Sequence, residues 1–186
     1  MFGTCNSTIA IPCACGSVEI EAAGRPIIGA VCYCDDCQKG GRQIEALPNA
    51  APVLDRDGGT PFIIYRKDRV RCSRGATLLK ALKLEQASAT NRVIATCCNS
   101  AMFLNFDDAK HWIDIYRSRF QGNAPPLQIC VCTRFRPAGA EPRTGLPSYP
   151  GFAPRFLWKL LLARLGMMAD AITTGARRRS LGSGLR

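Results

Sequence analysis

The sequence predicts a mainly β domain that carries one amphipathic helix at its C-terminal end. Three observations carry this. Short apolar runs recur between Gly, Pro and Asp punctuation through the first 135 residues. Thiols are gathered into tight clusters separated by long stretches. Sustained helical periodicity appears in one place, Phe156 to Ile172, after a Pro-rich stretch.

Taken in order, Val18-Glu19-Ile20-Glu21-Ala22 alternates as a half-buried strand. Ile27 to Val31 is a short apolar run leading directly into three thiols. Asn49 to Thr60, rich in Pro, Asp and Gly, reads as a loop, and Pro61 to Tyr65 as the strand after it. Ala76 to Leu84 is a further strand candidate, with Lys80 the exception to its alternation. Arg92 to Thr96 leads into Cys97-Cys98, and Ala101 to Phe106 follows. Asp107 to Arg119 is expected to be helical, capped by Asp107, on the weak spacing of Ile113, Tyr116 and Phe120. Gln128 to Phe135 is expected to close the sheet.

Residues 136–154 hold five prolines and form an expected linker between a domain at 1–135 and a helix with a basic tail at 155–186. In the helix, Leu157, Leu160, Leu161, Leu165, Met168 and Ile172 share a face at helical spacing. Lys159, Arg164 and Asp170 make it too charged to span a bilayer. That face suits packing on its own domain or on a second subunit as a homo-oligomer. Peripheral membrane contact is the other use, because Arg177-Arg178-Arg179 would meet anionic lipid. The last ten residues, rich in Arg, Gly and Ser, read as disordered.

Among 186 residues, 47% are apolar, enough for a core, and eleven are cysteines. Met1 to Asn6 carries no basic segment and no apolar run precedes Pro12, so a cytoplasmic location is expected. In a reducing cytosol, clustered thiols read as metal ligands rather than cystines, and an odd total leaves one over in any complete pairing. The formal charge is +11. Seven thiolates and two zinc ions would lower it by about three charges. The remaining basicity suits an anionic small molecule or surface. Aromatics are few (8%) and not interleaved with basic residues, which points away from nucleic acid.

Cys32-Tyr-Cys34-Asp-Asp-Cys37 is the strongest signal, because three thiols within six residues can reach one ion as a strand turns into a short helix. Three protein ligands leave a fourth position for exchange, the pattern of a catalytic zinc site, unless a remote residue closes it as a structural one. An ion held by three thiolates is a modest Lewis acid and suits a fourth thiolate, so the missing ligand is expected from a thiol substrate. Lys39 and Arg42 follow the cluster and are expected to balance its charge or to hold substrate carboxylates. Cys13-Ala-Cys15-Gly16 supplies two thiols and a residue able to bend the chain. They need a second pair, for which Cys98 is the first candidate and Cys97 the second, since adjacent thiols point apart in an extended chain. In Cys130-Val-Cys132, alternation places two buried thiols on one face; Cys5 and Cys72 read as free thiols. His111 beside Trp112 reads as a packed or surface histidine rather than a ligand or base.

The order C-x-C-G, then C-x-C-x-x-C, then a late cysteine before a small turn and an apolar strand resembles the glutathione-dependent formaldehyde-activating enzyme and centromere protein V family. The similarity runs over roughly residues 10 to 135. It rests on Pro12-Cys13-Ala-Cys15-Gly16, on Cys32-Tyr-Cys34-Asp-Asp-Cys37 where the family has C-H-C-x-x-C, and on Cys98-Asn99-Ser100-Ala101-Met102. The family's third motif, C-x-x-C-G-T-P-L, would put its first cysteine at Ala95, so the chain looks most similar to a bacterial branch with a vicinal Cys-Cys there. The resemblance implies a β-tent fold of small antiparallel sheets. It implies a structural zinc on Cys13, Cys15 and Cys98, with Cys97 as a candidate, and a second, more labile zinc on Cys32, Cys34 and Cys37. It implies a carbon–sulfur lyase-type reaction joining formaldehyde to glutathione. A zinc-stabilised binding module that does no chemistry, contacting a protein partner, membrane or nucleic acid through its basic tail, is the competing expectation, and redox or metal sensing a third.

Overall fold

The computed structural model describes residues 7–122 and 124–182. Cys5 and the last four residues of the expected basic tail lie outside them.

The elements begin with strands β1 (Thr8–Pro12), β2 (Glu19–Ala23) and β3 (Ile28–Cys32), followed by helix α1 (Asp35–Glu45). Strands β4 (Thr60–Arg66), β5 (Val70–Arg74), β6 (Leu79–Leu82), β7 (Thr90–Ala95), β8 (Ser100–Phe106), β9 (Trp112–Tyr116) and β10 (Ile129–Val131) come next, and helix α2 (Pro154–Gly182) closes the chain. A small sheet has the order β1-β2-β5 and a larger one β10-β3-β4-β9-β8-β7-β6. Neighbours run antiparallel except β10, which lies parallel to β3 with Val131 beside Cys32. The fold is mainly β with a C-terminal helix, as expected.

The large sheet is buried on both faces, so its strands read as apolar runs rather than strict alternation. On one face Ile28, Ala30, Phe62, Ile64, Leu104 and Tyr116 pack beneath Ile44 of α1 and Phe156 and Leu160 of α2. On the other, Ile63, Tyr65, Met102, Ile113 and Ile115 pack against Ile11, Val18, Ile20 and Ala22 of the turn and strands of the small sheet.

Three expectations are corrected. Residues 107–119 are not a helix: Trp112–Tyr116 is a strand, then a 3-10 turn spans Arg117–Phe120. Ile113 and Ile115 alternate toward one cluster while Tyr116 joins the other, so the period is two, and Asp107 instead accepts from Lys83 and Asn91. Ala76–Leu78 is a 3-10 turn, so the strand there starts at Leu79. Third, α2 continues through Gly182 where disorder was expected from residue 177; residues 183–186 lie outside the described chain.

Residues 136–153 have no helix or strand but lie against the domain. Arg143 Nε donates to Asp57 Oδ2 at 2.7 Å and to the Tyr33 hydroxyl at 3.1 Å, and Arg143 also pairs with Asp55. The amide of Cys130 donates to the Pro147 carbonyl at 2.8 Å, and that of Tyr149 to the Cys130 carbonyl at 3.0 Å.

Helix α2 is docked at several points. His111 Nε2 lies 2.7 Å from the Leu160 carbonyl oxygen, Lys159 donates to Gln128 at 2.7 Å, and Arg66 pairs with Asp170 at 2.8 Å. Leu160 therefore faces the domain, while Leu157, Leu161, Leu165, Met168 and Ile172 of the same expected stripe are exposed. No described helix is long and apolar enough to cross a membrane.

Candidate metal centres and an adjoining cavity

The first centre joins two turns far apart in sequence. After β1 the chain reverses, with the Cys13 amide donating to the Val18 carbonyl at 2.9 Å and Gly16 at φ +77°. A positive φ is cheap only for glycine, so Gly16 supplies the bend that aims Cys13 and Cys15 together. The second pair sits in the tight turn between β7 and β8, where Asn99 takes φ 51° and the Cys98 amide donates to the Ala95 carbonyl at 3.3 Å. That turn removes the objection to neighbouring ligands. Cys97 Sγ lies 3.4 Å from Cys15 Sγ and 3.8 Å from Cys13 Sγ, and Cys98 Sγ lies 3.9 Å from Cys97 Sγ. Four thiolates around one tetrahedral zinc would sit about 3.8 Å apart, given Zn–S near 2.3 Å. The four sulfurs fit one ion.

Supporting groups surround this cluster. The Ala14 amide and Arg119 Nη1 both donate to Ser100 Oγ, at 3.0 and 3.1 Å, and that oxygen lies 3.1 Å from Cys98 Sγ. Against partial burial, Ser100 and the Cys15 backbone bring the Cys98 thiol down to about 6. Burial, then the thiols of Cys15, Cys13 and Cys98, push Cys97 up to about 12. A cation would draw the remaining protons off.

The second centre forms where β3 passes into α1. Cys32 ends the strand, Cys34 is the residue before the helix and Cys37 lies in its first turn; their sulfurs also fit one ion. The thiols of Cys32 and Cys37, then the nearby amides of Cys37 and Asp36, hold Cys34 down to about 3 against burial. Cys34 thus sits at the positive end of a helix, where a thiolate is favoured. Cys32 is raised well above its ordinary value, first by the thiol of Cys132 and then by Cys34 and Cys37.

Helix α1 reaches this position because it lacks two side chains. Gly40 and Gly41 are buried, and a Cβ on Gly40 would fall 1.7 Å from Arg92 Nε. Arg92 is 2% exposed beneath the helix, donates through Nη2 to the Asp36 carbonyl at 2.6 Å, and leaves Nη1 without a partner. A buried guanidinium is costly unless a negative group balances it.

A cavity of about 240 Å3 opens from the second centre. Cys32, Cys34 and Cys37 line it, along with Phe62, Ile64, Leu104, Phe106, Trp112 and Phe156. The register explains this lining. Arg92 pairs with Leu104, Leu104 with Asp114, and Asp114 with Ile64, so one cross-strand row of four side chains faces the cavity. Asp114 Oδ1 is enclosed without a hydrogen-bond partner, and burial raises its carboxyl to about 7. Lys110 stands at the same cavity, over the Phe106 ring at 4.7 Å, and pairs with Asp108.

Lys39 and Arg42 are exposed on α1, and neither lines the cavity; Arg92 and Lys110 are the cations that do. Sequence reasoning missed Arg92 and Asp114. An arginine or aspartate inside an otherwise apolar strand is the signal that marks them. Cys130 and Cys132 are both buried but not on one face, as alternation had predicted: Cys130 packs with Val31 and Tyr33, Cys132 with the cluster that holds Cys32, Cys34 and Cys37. Cys72 is exposed, and its thiol meets the Arg74 carbonyl at 3.2 Å. His111 is packed edge-on against Trp112, as expected.

The comparison with protein families agrees with the resemblance read from the sequence over the first part of the chain. The family profile described as glutathione-dependent formaldehyde-activating enzyme matches residues 8–47, which span the first thiol pair and the whole of the second centre. No curated protein matches the chain. Among solved structures, a crystal structure of a Rhodobacter sphaeroides protein is similar at 17% identity and a TM-score of 0.44, covering 63% of this chain and 92% of that one.

Proposed function

We propose that the chain is a zinc enzyme of the carbon–sulfur lyase type, acting on the adduct of glutathione or another small thiol with formaldehyde or a related aldehyde. The observation that carries this reading is the second centre. Three thiols that fit one ion open directly onto a cavity, whereas the first centre supplies four thiols and closes on itself. Both donor sets are all-sulfur and suit zinc. At the first, Cys13, Cys15, Cys97 and Cys98 would hold zinc as a clamp between the small sheet and the β7–β8 turn. At the second, zinc on Cys32, Cys34 and Cys37 would supply a place for a substrate thiolate and lower its pKa.

The cavity residues fit the rest of the reaction. When a thiolate adds to an aldehyde carbon, a carbon–sulfur bond forms and the carbonyl π electrons pass to oxygen, which takes a proton. Asp114 stands in the cavity with an enclosed, unpartnered Oδ1 able to hold such a proton. The Arg92 guanidinium, with Nη1 unpartnered, would balance the negative charge of the thiolates and of a substrate carboxylate. Lys39 and Arg42, exposed beyond the cavity, would meet the parts of a glutathione that extend out of it.

Two-dimensional exchange NMR on formaldehyde, glutathione and the zinc-loaded chain tests this reading. Interconversion of free glutathione and its hydroxymethyl adduct should exceed the uncatalysed rate and return to it in Cys34→Ser. An unchanged rate with the intact chain would leave a zinc-stabilised module that does no chemistry.

A further inference from the structure

Strand β10 ends beside β3, and its last residues meet the second centre. The two strands run parallel, with Val131 beside Cys32 and Cys130 beside Val31. Side chains alternate along a strand, so Cys130 and Cys132 would share the face away from Cys32 if β10 simply continued. Cys130 is on that face, fully buried with Val31 and Tyr33. Cys132 is not. Its backbone takes φ 58° and ψ 32°, the left-handed region that a cysteine seldom adopts. The turn carries its side chain onto the face that holds Cys32, Cys34 and Cys37, where it is 5% exposed in the same buried cluster as those three residues. The left-handed residue is fastened on both sides. The Cys132 amide donates to the Gly151 carbonyl at 3.1 Å, and the Phe135 amide donates to the Cys132 carbonyl at 3.1 Å.

We infer that Cys132 is a fourth thiol donor of the second centre, one that closes the fourth position in the resting protein and yields it to an incoming thiol. This rests on the reading of Cys32, Cys34 and Cys37 as a metal centre. The four sulfurs are not all within one ligand sphere as the chain stands, since the compact group comprises Cys32, Cys34 and Cys37. Cys132 shares the buried cluster of that group while its sulfur lies outside the compact set, as a displaceable ligand should. Its exchange needs no oxidant: one thiolate replaces another, and the proton of the incoming thiol passes to the departing one. The four-thiolate state would carry a net charge of about −2, half of which the buried Arg92 cation at the cavity would offset.

The test uses the cobalt-loaded full chain and the variants Cys132→Asn, Cys132→Gly and Cys130→Ser. Asparagine and glycine both accept the left-handed backbone, so loss of the thiol is separated from loss of the turn. Cys132→Asn and Cys132→Gly should each weaken one of the two cobalt equivalents at least tenfold in chelator competition and lower the thiolate-to-cobalt absorbance. Each should also bind added glutathione more tightly than the intact chain does, because the competing thiol is gone. Cys130→Ser should change none of these. Wild-type metal affinity and absorbance in both Cys132 variants would overturn the proposal, while a glutathione-induced spectral change surviving in them would leave the thiol-binding centre standing. Retention of both cobalt equivalents by a Cys32/Cys34/Cys37→Ser chain would instead remove the centre on which the proposal rests.

Discussion

Cys97 Sγ lies 3.8 Å from Cys13 Sγ although 84 residues separate them, and it is as close to Cys15 as any sulfur in the cluster. A vicinal cysteine pair therefore contributes both its members, because the turn through Asn99 swings them to the same side. The four thiols bring the small sheet and the β7–β8 turn together, and a metal there would be a cross-link whose binding energy adds to folding.

If both members ligate, they should be equivalent in consequence. Cys97→Ser and Cys98→Ser should each reduce the metal content from two equivalents per chain toward one and lower the melting temperature by several degrees. Elemental analysis of the purified variants, with thermal unfolding, checks this. Full metal content in Cys97→Ser would return the cluster to three ligands.

Gly40 is where α1 lies over Arg92, with no room for a methyl group at 1.7 Å from Nε. Alanine favours a helix over glycine by about 1 kcal/mol. Gly40→Ala should nevertheless destabilise the protein by about 1–3 kcal/mol through overpacking. In an Arg92→Ala background the same change should cost much less, and a double-mutant cycle on denaturant unfolding measures the difference.

Phe156 is the anchor that holds the start of α2 on the sheet and one wall of the cavity, at 6% exposure, whereas Leu161, five residues on, is 47% exposed. Phe156→Ala should cost about 3 kcal/mol, and Leu161→Ser should stay within about 0.5 kcal/mol. Equal losses would mean that the outward stripe of α2 is covered in solution.

Asp57 carries a pH dependence. Against partial burial, Arg143, Tyr33 and the Gly59 amide hold its carboxyl down to about 2, below the ordinary 3.8. A depressed carboxyl contributes stability that is complete above the unfolded value and is lost as pH falls through the folded one. The contribution, about 1–2 kcal/mol, should therefore be present at pH 7 and vanish between about pH 4 and 2. Asp57→Asn should lower stability at pH 7 by that amount and match the parent at pH 2. Parallel melting curves across that range, with Arg143→Gln as partner, are the check.

The strands that carry chemistry were legible because burial of the large sheet on both faces writes apolar runs, as at Ile27–Val31 and Pro61–Tyr65. Strand β5 was not, since Cys72 and its neighbours are exposed along an edge and no apolar pattern marks them. Trp112–Tyr116 misled because Ile113, Tyr116 and Phe120 also fall at helical intervals, while the alternation of Ile113 and Ile115 decides the structure. The extent of α1 was hidden by Gly40-Gly41, which lower helix propensity but permit the close approach to Arg92. Cys32, Cys34 and Cys37 could be read from spacing alone. Cys132 could not, because its face is set by one left-handed residue rather than by strand periodicity.

The central claim is that the centre at Cys32, Cys34 and Cys37 accepts a thiol. Glutathione titration of the cobalt-loaded chain, followed through the thiolate-to-cobalt and ligand-field absorption, addresses it most directly. The account predicts a saturable change from one of the two cobalt equivalents, abolished in Cys34→Ser and not produced by methyl-capped glutathione, which has no free thiol. A spectrum that stays constant up to millimolar glutathione would contradict it.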